Sequence, residues 1–97
     1  MRIISRSALR DFWARHPNAE GSLQAWYANV KRAKWRTPSE VKAIYRNASF
    51  IGNNRVVFNI KGNAYRLVAA INYQYGIVYV RFVGTHQAYN RINAATI

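Results

Sequence analysis

Residues 56 to 83 constrain the fold most strongly, because apolar side chains there recur at every second position. The alternation runs through residues 56–61, 66–72 and 77–83. A period of two predicts extended strands with one apolar face. Gly62-Asn63 and Tyr75-Gly76 separate the runs and favour hairpin turns. The second half of the chain therefore predicts an antiparallel meander.

The two turns predict a register for each hairpin. The first turn pairs Phe58 with Leu67 and Asn59 with Arg66. A two-residue second turn pairs Ile71 with Val80, Ala69 with Phe82, Ala70 with Arg81 and Arg66 with Thr85. Both registers keep the apolar residues on one face, whereas a three-residue second loop would place core residues opposite surface residues.

The first part of the chain begins with a predicted short strand and then shows helical spacing. Residues 2–5 read as extended, and Ser7 is predicted to cap a first helix that stops at His16-Pro17. Gly21-Ser22 is predicted to cap a second helix, whose apolar side carries Leu23, Trp26, Val30 and Ala33.

A third helix is predicted from a stronger signal. Thr37-Pro38-Ser39-Glu40 is a capping box with proline at the first helical position, and the helix should continue to about Tyr45. The helices are expected to cover the apolar face of the sheet. The predicted fold class is α+β, in one domain spanning residues 1–97, with N-terminal helices on one face of an antiparallel sheet and a short C-terminal helix.

The net charge of the chain limits the kinds of partner that it is expected to bind. The chain has 15 Lys and Arg against 3 Asp and Glu, a formal net charge of +12. A compact domain this basic indicates a polyanionic partner, because cations that neutralise phosphates release counterions. The alternative is a basic surface that serves only solubility.

Several kinds of chemistry are excluded or disfavoured. The absence of cysteine excludes disulfides and thiolate metal sites, and two histidines with three scattered carboxylates favour no metal site and no cofactor. Asp11, Glu20 and Glu40 offer no close carboxylate pair. No run approaches the roughly 20 apolar residues of a membrane helix, and no signal peptide is recognised. A cytoplasmic protein without membrane contact is expected.

The open face of the predicted sheet is the candidate functional surface. Its polar residues are Asn59, Lys61, Arg66, Asn72, Tyr79 and Arg81. Thr85 is predicted to cap a C-terminal helix extending to Arg91, with His86 and Tyr89 on one side of its first turn.

These residues have the ingredients for RNA cleavage without a metal. Attack by a ribose 2′-OH needs a base, an acid and cations that stabilise the phosphorane. Arg66 and Lys61 suit the charge role, and His86 suits proton transfer. Tyr79 or Tyr89 could stack on a base or donate a proton.

Other interpretations stay open for several residues. His86 could be an ordinary surface residue at a helix start, and His16 is interpreted as structural. Lys31, Arg32 and Lys34 could be a solvated helix end or could contact an RNA backbone. Trp13, Trp26 and Trp35 favour core or partner contacts over base stacking.

Specific blocks of sequence point to a family. They are Trp26, Trp35-Arg36-Thr37-Pro38, Val41-Lys42, Val57-Phe58-Asn59-Ile60-Lys61-Gly62-Asn63, Tyr65-Arg66-Leu67-Val68 and Gly84-Thr85-His86-x-x-Tyr89. With this spacing the chain resembles the HigB family of type II toxin–antitoxin mRNA interferases, within the RelE-like superfamily. The resemblance covers essentially the whole chain. It implies helices on one side of an antiparallel sheet and cleavage of translated mRNA, commonly in the ribosomal A site.

The resemblance also implies partners and site residues. The expected partner is a HigA-type helix-turn-helix antitoxin, and DNA contact is expected only within the toxin–antitoxin complex. An acidic antitoxin is expected either to cover Lys61, Arg66 and His86 or to pack on the surface of helices 1 and 2. The second placement is preferred, because partners in the wider superfamily often bind away from the catalytic face, and any exposed part of Trp13, Tyr27 or Trp35 would supply aromatic anchors. The positions that match the superfamily's functional ones are Asn59, Lys61, Arg66, Arg81, His86 and Tyr89.

The last block departs from the family pattern. Acidic residues usually surround the tyrosine, whereas this chain has Ala88, Asn90 and Asn93. Two functions therefore remain. The first is a ribonuclease toxin, and the second is a non-catalytic RNA-binding or ribosome-associated protein that occupies the same site.

Overall fold

The computed structural model describes residues 1–97 and contains five strands and four α-helices. In chain order they are β1 (Arg2–Ile4), α1 (Arg6–Arg15), a 3-10 turn (Pro17–Ala19), α2 (Glu20–Arg32), α3 (Pro38–Ile44), β2 (Ser49–Ile51), β3 (Arg55–Ile60), β4 (Tyr65–Asn72), β5 (Ile77–Thr85) and α4 (His86–Tyr89). This arrangement confirms the α+β class. None of the helices has the length and apolar character needed to cross a bilayer.

The sheet is mixed, with the strand order β1-β5-β4-β3-β2. Strands β2 to β5 pair antiparallel, as predicted, but β1 pairs parallel to β5 through Ile3 and Val78. The expectation of a purely antiparallel sheet was therefore wrong at this edge. The three-residue β1 has no hairpin turn that could indicate its partner or its direction. Strand β2 was not predicted either, because three residues are too few to show alternation.

Two helix starts differ from the prediction. Helix α1 begins at Arg6 with Ser5 at the N-cap position, so Ser7 lies inside the helix, where its hydroxyl is hydrogen-bonded to that of Ser5. Helix α2 begins at Glu20 because the 3-10 turn starting at Pro17 leads directly into it. Gly21 and Ser22 therefore lie in its first turn and do not cap it.

The caps of α3 and α4 are confirmed. Thr37 Oγ1 accepts the Glu40 amide at 3.4 Å, and Glu40 Oε1 accepts the amide of Thr37 at 3.1 Å. In α4, Thr85 Oγ1 accepts the Ala88 amide at 3.1 Å. This C-terminal helix ends at Tyr89 and is shorter than the predicted helix to Arg91.

The main core lies between the helices and one sheet face. Its largest fully buried side chains include Leu9, Leu23, Phe58, Leu67 and Ile71.

Aromatic residues of the helical half belong to this core. Trp26 and Trp35 are 2% and 6% exposed, which confirms their interpretation as core residues. Such burial also removes Trp35 as an antitoxin anchor. His16 is structural, as predicted, because its ring stacks on Phe12 with centroids 4.4 Å apart.

The first hairpin has the predicted register. Phe58 pairs with Leu67 and Asn59 with Arg66. The Ala64 amide donates to the Lys61 carbonyl at 3.2 Å, which closes a turn around Gly62-Asn63. Lys61 and Gly62 have φ angles of 51° and 63°, so the turn uses the left-handed region at both residues.

The second hairpin differs from the prediction. Ile71 pairs with Val78, Ala70 with Tyr79 and Ala69 with Val80, because the connection spans residues 73–76. The Asn72 side chain accepts the Tyr75 amide at 3.0 Å, which starts the turn earlier than Tyr75-Gly76 would. A β-bulge between Val68 and Ala69 then shifts the register again, so Arg66 pairs with Gly84 instead of Thr85.

The bulge also changes which face Phe82 occupies. Val78, Val80 and Val83 pack against the main core, whereas Phe82 packs against residues on the opposite face. A Cβ atom on Gly84 would lie only 2.4 Å from the Phe82 ring, so the ring covers this glycine. The prediction that Phe82 belongs to the helix-side core was wrong, because a bulge inverts the alternation beyond it.

Candidate functional site

The sheet face turned away from helices α1 to α3, called the open face, has two differently built parts. One part is the site edge, which comprises Asn59, Lys61, Arg66, His86 and Tyr89. The other is the covered patch, formed by Val57, Val68 and Phe82 beneath the C-terminal residues 90–97. In the site edge Asn59, Lys61 and His86 are exposed to solvent, while Arg66 and Tyr89 are half-buried.

Arg66 occupies the centre of the site edge. It pairs with Asn59 on β3 and with Gly84 on β5. Its guanidinium carbon lies 5.9 Å from the centroid of the Tyr89 ring, and its Nη1 donates to the Asn63 carbonyl at 3.4 Å. The cation is therefore held by weak contacts and keeps donors free for a phosphate.

Backbone hydrogen bonds bring His86 to the same edge. The His86 amide donates to the Ala64 carbonyl at 3.3 Å, and the Ala64 amide donates to the Lys61 carbonyl. The start of α4 is thus joined to the β3–β4 turn. His86 and Lys61 are both exposed beside the half-buried Arg66.

Tyr89 lies at the border between the site edge and the covered patch. Its ring lies 6.4 Å from that of Phe82 and packs against the apolar cluster of this face. Phe82 was missed as a neighbour of the site because the bulge has no clear sequence signal. The structure thus brings together Lys61, Arg66, His86, Tyr89 and Asn59, all of which the sequence had selected.

Two predicted RNA-binding residues lie elsewhere. Tyr79 pairs with Ala70, four residues along β4 from Arg66, a separation of about 13 Å at the usual strand rise. Arg81 borders a surface groove with Asp11 and Arg15 of α1. The prediction that Arg81 joins Arg66 on the open face is not supported, because Arg81 is the residue that the bulge leaves without a partner on β4, between Val80 and Phe82.

The basic end of α2 lies in the helical layer. Lys31 and Arg32 form the last turn of that helix, and Lys34 follows it. Arg32 is hydrogen-bonded to Asn29 at 3.2 Å. These three cations lie outside the site edge, and Arg32 and Lys34 border a surface pocket that also includes Ile44 of α3.

The C-terminal segment covers part of the face that the sequence suggested was free. Val57 and Val68 are 3% and 0% exposed. Arg55 Nη2 donates to the Ile97 carbonyl at 2.6 Å, and Asn53 Nδ2 donates to the Ala95 carbonyl at 2.8 Å. The functional surface is therefore smaller than the whole open face.

All charged side chains in the sheet half of the chain are positive. Residues 46–97 contain no Asp or Glu, and their cations are Arg46, Arg55, Lys61, Arg66, Arg81 and Arg91. The three carboxylates are on α1, α2 and α3, and Glu40 is engaged in a cap. No three His, Asp or Glu side chains come together as a metal-binding group.

The two tyrosines whose pKa is shifted lie outside the site edge. Burial raises the pKa of Tyr45, and the neighbouring Asn29 side chain offsets part of that rise. Burial also raises the pKa of Tyr73. Both tyrosines pack against the main core, so these shifts follow from the fold and not from the arrangement around Arg66.

Comparisons with known proteins find relatives that match nearly the whole chain. The mRNA interferase toxin HigB of Escherichia coli K12 is 28% identical over 97 residues, which cover 97% of this chain and 92% of the relative. The mRNA interferase HigB of Shigella flexneri has the same identity and coverage. A relative of that name in E. coli O6:H1 is 27% identical over 94 residues, covering 95% of this chain and 91% of the relative.

A family model gives the broader assignment. The model described as HigB toxin, the RelE-like toxic component of a toxin–antitoxin system, matches residues 19–92. The match includes α2, α3, strands β2 to β5 and α4, and thus every residue of the site edge. The chain belongs to the HigB family of toxins.

Proposed function

We propose that this toxin is an endoribonuclease that cleaves mRNA at the site edge. The observation that carries the proposal is the position of Arg66 between Asn59 and Tyr89. Beside it lies the β3–β4 turn, which carries Lys61 and accepts a hydrogen bond from the His86 amide. The similar E. coli proteins carry the name mRNA interferase, which supports the same activity here.

The proposed reaction uses the RNA as its own nucleophile. The ribose 2′-oxygen attacks the adjacent phosphorus while His86 takes its proton. Arg66 and Lys61 stabilise the extra negative charge on the phosphorane oxygens. The bond to the 5′-oxygen then breaks, and Tyr89 donates the proton that this leaving group needs. The products are a 2′,3′-cyclic phosphate and a 5′-hydroxyl.

The test is incubation with translating ribosomes and with free RNA, followed by mapping of the RNA ends. We expect new 5′-hydroxyl ends with the wild-type chain, formed roughly a hundredfold more slowly with Arg66→Ala. Chelation of divalent ions should leave cleavage of free RNA unchanged, since the proposed reaction uses no metal. Ends that carry 5′-phosphate would contradict the mechanism.

A second candidate is a protein that binds RNA or ribosomes without cutting. The observation that favours it is the absence of a carboxylate around His86, since Ala88 and Asn90 occupy the last turn of α4 and its C-cap. Tight ribosome binding without any new RNA ends would establish this alternative.

We also propose a HigA-type helix-turn-helix antitoxin that binds the surface of α1 and α2. Tyr27 remains a suitable anchor because it is half-buried, with Arg6 and Lys31 at 5.4 Å and 5.9 Å from its ring centroid. These cations suit an acidic partner. Tyr27→Ala should weaken antitoxin binding without reducing cleavage, whereas unchanged binding by a folded variant would place the interface elsewhere.

A further inference from the structure

A pocket of about 390 Å³ lies beside the site edge, just before strand β2 begins. The first residue of β2, Ser49, pairs with Val57, so β3 has no neighbouring strand on that side from Phe58 onward. The pocket occupies this gap. Its lining residues are Ile44, Tyr45, Arg46, Asn47, Ala48, Phe58, Asn59 and Gly62.

The pocket wall is held in place by specific contacts. Lys42 Nζ donates to the Ala48 carbonyl at 2.7 Å, and the Ala48 amide donates to the Tyr45 carbonyl at 3.1 Å. The Tyr45 ring packs edge-on against Phe58 with centroids 5.0 Å apart, and against Trp35 at 6.1 Å. The turn of residues 45–48 is thus fixed to the core, as in a pocket formed before its ligand binds.

The pocket is connected to the proposed cleavage site through one residue. Asn59 lines the pocket and pairs directly with Arg66 on β4. Because neighbouring strands are about 4.8 Å apart, the pocket begins roughly one strand spacing beyond the strand that carries Arg66. An RNA strand with a phosphate on Arg66 can therefore reach the pocket mouth with a neighbouring nucleotide.

The lining has the chemistry that recognises a nucleobase. The Asn47 and Asn59 amides each supply donors and an acceptor, the groups needed to read a base edge. Ile44 is 64% exposed and offers an apolar surface to a base, while Arg46 can contact a phosphate. No carboxylate lines the pocket.

We infer that this pocket binds the nucleobase next to the cleaved bond and gives the toxin its sequence preference. The link to cleavage rests on the proposed ribonuclease function, whereas base binding can be measured without it. Asn47 and Ile44 are then specificity residues, and neither takes part in the proposed reaction.

The test compares the wild type with Asn47→Ala and Ile44→Ala, and Gln74→Ala is the matched control. Gln74 is an exposed amide in the β4–β5 turn, at the other end of the sheet. Fluorescence anisotropy would measure binding of A, C, G and U pentanucleotides with 2′-O-methyl groups, which cannot be cleaved. We expect the wild type and Gln74→Ala to prefer one base about fivefold or more. Asn47→Ala and Ile44→Ala should lose most of that preference while circular dichroism shows them folded.

A second measurement separates this inference from the proposed function. Cleavage of a randomised RNA should show a base bias at one position beside the cut, and Asn47→Ala should remove the bias while still cutting. Equal base preference in the wild type and in Asn47→Ala, or no preference in either, would overturn the inference. Base-selective binding that depends on Asn47, in a wild type that cuts no RNA, would support the pocket and contradict the ribonuclease.

Discussion

The site edge and the covered patch belong to one sheet face, yet they are held by different forces. Lys61 and His86 are exposed to solvent, and the half-buried Arg66 makes only a long hydrogen bond and one ring contact. Val57 and Val68 are buried beneath the C-terminal segment. The contrast teaches that activity and stability are separated on this face, so a change in one part should leave the other nearly unaffected.

The largest effect is expected at the site edge. Arg66→Ala should lower RNA cleavage roughly a hundredfold, because losing one donor to a developing anion costs about 3 kcal/mol. Its free energy of unfolding should change by only about 1 kcal/mol, because the half-buried side chain loses one cation–π contact and one long hydrogen bond. Single-turnover kinetics would measure the cleavage rate, and thermal unfolding would measure the stability. Arg81→Ala is the matched control, and equal losses in both variants would contradict the assignment of Arg66.

The next effect concerns the boundary between the two parts. Gly84→Ala should destabilise the fold by about 1–2 kcal/mol, because the new methyl group collides with the Phe82 ring. The double variant Gly84→Ala with Phe82→Leu should recover part of this loss. Urea unfolding of the single and double variants measures the coupling, and strictly additive effects would show that the contact does not matter.

A smaller effect is expected in the covered patch. Arg55→Ala removes the hydrogen bonds to the Ile97 and Asn53 carbonyls and should cost about 1 kcal/mol. Hydrogen exchange in residues 92–97 should accelerate, while cleavage stays unchanged. The exposed Arg10 on α1 gives the control Arg10→Ala. A large loss of cleavage in Arg55→Ala would show that the two parts are coupled.

The smallest expected change in stability concerns Tyr45, which lies outside both the site edge and the covered patch. Burial raises the folded-state pKa of Tyr45 above the ordinary value of 10.0, so stability should fall as the pH rises above that value, where the unfolded tyrosine ionises first. Tyr45→Phe should reduce this alkaline loss and be nearly neutral at pH 7, since the Tyr45 hydroxyl is buried without a hydrogen-bond partner. Unfolding curves at pH 7 and above pH 10 test both statements.

Local signals predicted the structure well where one short segment determines it. The capping residues Thr37 and Thr85 act through neighbours three positions away, and Gly62-Asn63 sets the first hairpin through its own turn. The site edge depends on these features, which is why its residues could be selected together.

The remaining features depend on contacts that no local pattern contains. The Asn72 side chain caps the second turn, which therefore begins earlier than predicted. The bulge beside Val68 then places Phe82 on the face opposite to the predicted one. Residues 90–97 show no period, so their packing on Val57 and Val68 could not be foreseen. Trp35 was interpreted as a core or partner residue, and the sequence could not decide between the two, because its burial depends on the edge-on contact with the Tyr45 ring.

The sheet half without carboxylates has a consequence for ionic strength. With no acidic residue between positions 46 and 97, phosphate binding there breaks no internal ion pair and displaces only counterions. Each phosphate contacted on a single strand lowers the logarithm of the affinity by roughly 0.7 per tenfold rise in salt. Three contacts would then weaken RNA binding roughly 20-fold between 50 and 200 mM salt. RNA and counterions therefore compete for this surface, and its affinity for RNA falls as the salt concentration rises.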